Sequence, residues 1–172
     1  MAMATIDALL SEFQKRNAGR RWRPGSVDCV MTLADWLVTL GHRDPAAGLR
    51  GVYHDEAGYR AILAGHGGMA PMIDARATML GLPRTATART GDVGVIGSAA
   101  SIDRQWGAIW DGGDWLVRFD GGFSRVKARA MAIWRVRQQE ARSAEGATGT
   151  SQEARSEATG SKNDARGCAC PS

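Results

Sequence analysis

The chain has 172 residues, a formal net charge of +4, 44% hydrophobic residues and three cysteines. That length bounds it to one domain with room for a tail, and so small a charge argues only weakly for a polyanion partner. Three cysteines exclude a disulfide-stapled scaffold, and no stretch approaches the roughly 20 apolar residues that span a bilayer.

In chain order, residues 5–16 predict a helix. Thr5 is a capping residue, and Ile6, Leu9, Leu10 and Phe13 recur at helical spacing. Residues 17–26 form a Gly- and Arg-rich loop that turns at Pro24-Gly25. Residues 29–40 predict the strongest helix, with Asp28 as its N-cap, Leu33, Trp36, Leu37 and Leu40 as its apolar stripe, and Gly41 as its stop. Asp44-Pro45-Ala46-Ala47 reads as a further capped helical start. Helices over 55–64 and 69–80 follow, separated by the turn Gly65-His66-Gly67-Gly68.

The period then shortens to two. Strands are expected at 93–96, 106–110, 115–119, 123–127 and 132–136, with Asp111-Gly112-Gly113-Asp114 as a hairpin turn. Helices first and strands afterwards predict an α+β domain over 1–136, N-terminal helices packed on a C-terminal antiparallel meander. Beyond Val136 there is no Val, Ile, Leu, Met, Phe, Tyr or Trp, so 137–172 reads as a disordered low-complexity tail. The tail is charge-balanced, and the folded part therefore holds the whole positive excess. The start of the chain lacks the basic lead and apolar run of a signal peptide, so the expectation is a chain made in the cytosol.

Chemistry points first to Cys29. It follows Asp28 where the Gly25-Ser26 loop enters the apolar helix, and a helix N-terminus lowers a thiol's pKa and offers free N–H groups to an oxyanion. Against this stands the plain alternative that a Cys opening an apolar helix is core. His42 lies 13 residues along the chain, some 20 Å away by helical rise, which excludes it as a base. His54 and His66 fall in loops that periodicity does not place. Cys168-Ala-Cys170 is too tightly spaced for paired zinc ligands, and neither a metal site nor a cofactor motif is expected.

Two other groups stand out. Lys15-Arg16 through Arg20-Arg21-Trp22-Arg23 is read as a solvated loop flanking a cleft, with a nucleic-acid contact as the weaker alternative. Trp106, Ala108 and Trp110 share one strand face, and Trp115 lies across the hairpin. That face is expected to be core; turned outward it would form an interaction surface with Trp110, Trp115 and the Arg20–Arg23 run.

Three segments in this order, Gly25-Ser26-Val27-Asp28-Cys29, Gly91-Asp92-Val93-Gly94-Val95-Ile96 and Gly107-Ala108-Ile109-Trp110-Asp111-Gly112, resemble the NlpC-type branch of papain-like cell-wall cysteine peptidases. The stretch from Leu33-Ala34-Asp35-Trp36 to Gly58-Tyr59 is similar to a phage- and prophage-encoded subgroup. The resemblance implies Cys29 as nucleophile, Asp28 as the residue before it, and a histidine base on the later strand. Here Gln105 or Trp106 occupies that place, and the third polar position falls near Arg118 or Asp120. Neither Gln nor Trp takes a proton from a thiol near neutral pH, so the couple that activates the nucleophile is missing. The site is expected to be vestigial, with a somewhat lowered Cys29 pKa and no hydrolytic partner. The leading expectation is a tail-associated structural or interaction protein whose partners are phage tail or tail-tip proteins, carried in the virion tail. A peptidoglycan cysteine peptidase or amidase comes second, and a small basic nucleic-acid-binding module third.

Overall fold

The computed structural model describes residues 4–139. Four helices come first: α1 (Ile6–Asn17), α2 (Cys29–Thr39), α3 (Glu56–Gly65) and α4 (Met69–Met79). Five strands follow: β1 (Val93–Gly97), β2 (Gln105–Trp110), β3 (Trp115–Phe119), β4 (Gly122–Val126) and β5 (Ala130–Trp134). This is an α+β domain with one antiparallel five-stranded sheet.

Side-chain caps start three helices: Thr5 accepts from the Ala8 N–H, Asp28 from Met31 and Asp55 from Gly58, each satisfying an amide that the helix cannot. Asp44 to Arg50 is turn rather than helix. Pro45 has no N–H, and Asp44 spends its carboxylate on the Ala46 amide and the Arg50 guanidinium.

The sheet order is β4-β3-β2-β1-β5, so the expected meander is corrected. The last strand crosses back to lie beside β1, with Trp134 opposite Val93. Periodicity marks a strand, whereas its neighbour is chosen by packing. Trp134 is fully buried, donates its indole N–H to Asp74 of α4 at 3.0 Å, and carries Arg84 over its ring at 4.7 Å. The ordered chain also outruns Val136, since the Gln139 N–H donates to the Leu40 carbonyl. The rest of the expected tail, from 140, lies outside the described residues.

Helix α2 lies on the sheet and forms the centre of the core with Met31, Leu33, Trp36 and Leu37. Close approach depends on Gly107 in β2, where a Cβ would fall 2.8 Å from Leu33 Cδ1 and 3.3 Å from the Cys29 carbonyl. The Trp106–Ala108–Trp110 face belongs instead to the opposite side of the sheet. There it forms a smaller apolar cluster with Ile96, Trp115 and Val117. The face is therefore core, as expected, but of a second, smaller cluster rather than the one under α2. Trp106 and Trp110 are half-buried, Trp110 meets Trp115 edge-on at 5.0 Å, and Trp115 is itself buried and unavailable as surface.

Candidate functional site

Asp28 organises the site's entrance. Its Oδ1 caps α2 at the Met31 amide (2.9 Å), and Oδ2 accepts from the Gly25 amide and the Tyr53 hydroxyl, both at 2.8 Å. A fully buried carboxylate is tolerable because each oxygen has donors. The same bonds fix the loop before Cys29. Gly25 has φ +77°, and a Cβ there would lie 2.0 Å from the Tyr53 carbonyl, so only glycine fits.

Cys29 begins α2 with its side chain 1% exposed, and its Sγ lies 3.1 Å from Tyr59 Oη of α3. The expected lowering of its pKa is corrected: the thiol is pushed up from an ordinary 9.0 to about 11. Burial is the largest cause. The Tyr59 hydroxyl opposes it, the Asp28 charge adds to it, and the amides of Gly107 and Cys29 pull weakly downward. Near neutral pH the group is a protonated thiol. Burial likewise pushes the Tyr53 and Tyr59 hydroxyls far above their ordinary range, so neither is a base.

Cys29 sits in a cavity of about 440 Å³. Trp22, Pro24, Leu63 and Trp106 supply apolar walls, and Tyr59 and Gln105 the polar ones. At the mouth Arg60 bridges Glu56 and Asp103, each at 3.0 Å. Gln105 and Trp106 therefore do lie beside Cys29, as expected for the strand opposite the thiol. The Gln105 amide is already committed: Oε1 accepts the Met69 N–H at the start of α4 (2.9 Å), and Nε2 donates to the Ser98 carbonyl (3.1 Å). Gln105 is thus a buried clamp between helix and strand, and its bonds leave no imidazole-like function at that position.

None of the three histidines lines this cavity. His42 is buried and donates from Nε2 to the Arg137 carbonyl, His66 donates from Nδ1 to Ile62 one turn back, and His54 is exposed in a separate groove. Asp120 does not join the site either. It accepts the Trp22 amide at 3.2 Å, while buried Arg118 donates to the Asn17 carbonyl at 2.5 Å, so both tie the α1–α2 loop region to the sheet. Of the basic run, Arg20 pairs with Asp35, Arg21 and Arg23 are exposed, and Trp22 turns into the cavity.

The hydroxyls of Tyr53 and Tyr59 are the groups that sequence reasoning missed, since no local spacing pairs either tyrosine with Asp28 or Cys29. The Glu56–Arg60 half of the mouth was legible as an i,i+4 pair, but Asp103 was not. Among the described residues no cluster of three or more His, Cys, Asp or Glu side chains could hold a metal ion, and no helix is long and apolar enough to cross a membrane.

These features define an α+β protein with a buried, protonated cysteine facing a phenol across an aromatic-walled cavity. Residues 1–136 match a domain of unknown function, DUF6950, and the chain belongs to that family. No curated protein and no solved structure matches it.

Proposed function

We propose that this domain is a papain-like scaffold of the NlpC type that has lost hydrolysis and serves as a structural or interaction component of a phage or prophage tail. The observation that carries the first half is the pairing of Cys29 with the Tyr59 hydroxyl, while Gln105 spends its amide on Met69 and Ser98. A nucleophilic thiol needs a base within reach or a depressed pKa, and Cys29 has neither. The papain-like descent is supported by the order of elements. A cysteine opens a helix that packs on an antiparallel sheet, and the strand after the Gly-Asp-Val strand faces that cysteine. The tail assignment rests on the resemblance of residues 20–136 to phage-encoded relatives of that scaffold.

Two measurements test the reading. Purified protein incubated with purified cell walls should release no soluble peptide, and Cys29→Ala should change nothing. Pull-down from a lysate of the lysogen should recover tail or tail-tip proteins. Peptide release abolished by Cys29→Ala would replace the proposal with a peptidoglycan hydrolase, the reading favoured by the position of Cys29 in the lining of a cavity.

A further inference from the structure

Two concavities meet at Pro24. On one side is the Cys29 cavity; on the other is a surface groove of about 520 Å³ whose walls include Arg20, Arg23, Arg50 and His54 and no carboxylate. Arg50 is held by Asp44 at 2.6 Å and Asp35 at 2.7 Å, and Arg20 shares Asp35 at 3.4 Å. Two guanidiniums therefore share two carboxylates, and the third guanidinium of the groove leaves one positive charge over. It sits on Arg23, whose exposed side chain has no ion-pair partner among the described residues.

The wall between the concavities is preformed. Arg23 and Val27 exchange backbone bonds at 2.8 and 2.7 Å, the Gly25 N–H is held by Asp28, and its carbonyl accepts the Gly51 N–H at 3.1 Å. A ligand crossing it would pay little to order the loop. Charge differs on the two sides. Two carboxylates against one guanidinium leave the cavity mouth with one negative charge at Glu56, Arg60 and Asp103, whereas the groove holds one positive charge.

We infer that the two concavities together bind an extended acidic peptide, with an apolar side chain in the Cys29 cavity and a carboxylate a few residues along the chain on Arg23. This deepens the proposed interaction role and rests on it. The charge pattern favours a peptide over a single nucleic-acid strand. A strand that stacked a base between Trp22 and Trp106 would bring a phosphate at every nucleotide against Glu56 and Asp103, whereas a peptide places its one carboxylate where the groove is positive. Each extended residue covers about 3.3 Å, so zero to two residues between the anchors span up to about 10 Å.

The test uses the full chain and fluorescein-labelled, end-blocked peptide pools, Ala-Ala-Φ-(Ala)n-Glu-Ala-Ala. Φ is Leu, Phe or Tyr and n is zero to two, and matched pools carry Gln for Glu. Fluorescence anisotropy should show saturable binding that is about fivefold tighter for Glu, the scale of one partly exposed ion pair. Added salt should reduce that preference, and both Arg23→Glu and the milder Arg23→Gln should remove it while Gln-pool affinity holds. No saturable binding, equal binding of the two pools, a preference that survives in both Arg23 variants, or tighter binding of an oligothymidylate of equal length would each overturn the inference. Mass spectrometry of the bound peptides separates the two readings. Cleavage would end the non-hydrolytic proposal, while a surviving Glu preference would leave the groove assignment standing.

Discussion

If burial controls Cys29, its reactivity should be that of a suppressed thiol. At pH 8 a thiol titrating at 9.0 is about 9% thiolate, and one titrating at about 11 is about 0.1%. Alkylation by iodoacetamide, followed by peptide mapping so that Cys29 is read apart from Cys168 and Cys170, should run roughly 100-fold below a model thiol from this term alone. Enclosure by the cavity walls slows it further. The rate should climb tenfold per pH unit until the structure itself opens. Substitutions shift it with opposite signs. Asp28→Asn removes a charge that raises the thiol and should speed alkylation at fixed pH, whereas Tyr59→Phe removes a partner that lowers it and should slow alkylation. A pH midpoint below 7, or a Tyr59→Phe variant that reacts faster, would refute the reasoning and restore an activated nucleophile.

Other outcomes follow from the same contacts. The folded-state pKa of Cys29 lies above its unfolded value, so the folded form holds its proton longer. The associated stability is complete well below pH 9 and falls by about 2 kcal/mol as pH rises to 11, measurable as a falling urea midpoint that Cys29→Ala flattens. The raised hydroxyls of Tyr53 and Tyr59 add to that loss above pH 10. Asp28→Ala removes the cap of α2 and leaves the Tyr53 hydroxyl and the Gly25 amide unpaired. It should cost about 3–5 kcal/mol in chemical denaturation, and a loss below 1 kcal/mol would mean that water replaces the carboxylate. Gln105→Ala orphans the Met69 amide and should cost about 2 kcal/mol, with hydrogen exchange fastest at the start of α4; unchanged exchange there would contradict the clamp. Gly107→Ala forces a Cβ against Leu33, so a cost of about 1–3 kcal/mol is expected, with a shift in Trp36 fluorescence as α2 lifts from β2.

Much of the architecture was local and therefore readable. Helix α2, its Asp28 cap and its Gly41 stop depend on neighbours within a turn or two, and the change of period at residue 93 announced the strands. The same locality exposed Cys29 at a helix start and the absence of histidine from β2. The placement of Gln105 and Trp106 beside Cys29 was the long-range reading that held, whereas the readings that failed turn on other distant contacts. The sign of the Cys29 shift follows from enclosure by residues on α3, β2 and the 20–26 loop, which outweighs the helix terminus. The aim of Trp22 into the cavity and the assignment of the Trp106–Trp110 face to a second apolar cluster depend on which side of the sheet the helices cover.

The sequence alone determined the α+β order, the caps, and a cysteine with no histidine on the strand facing it. Tertiary structure decided that β5 returns to β1, that Tyr53 and Tyr59 converge on Asp28 and Cys29 from 25 and 30 positions away, and that Gln105 is consumed as a clamp. The physical reason is range. Backbone propensity and capping act over a few residues, whereas desolvation and buried hydrogen bonds are set by whichever groups the fold brings together.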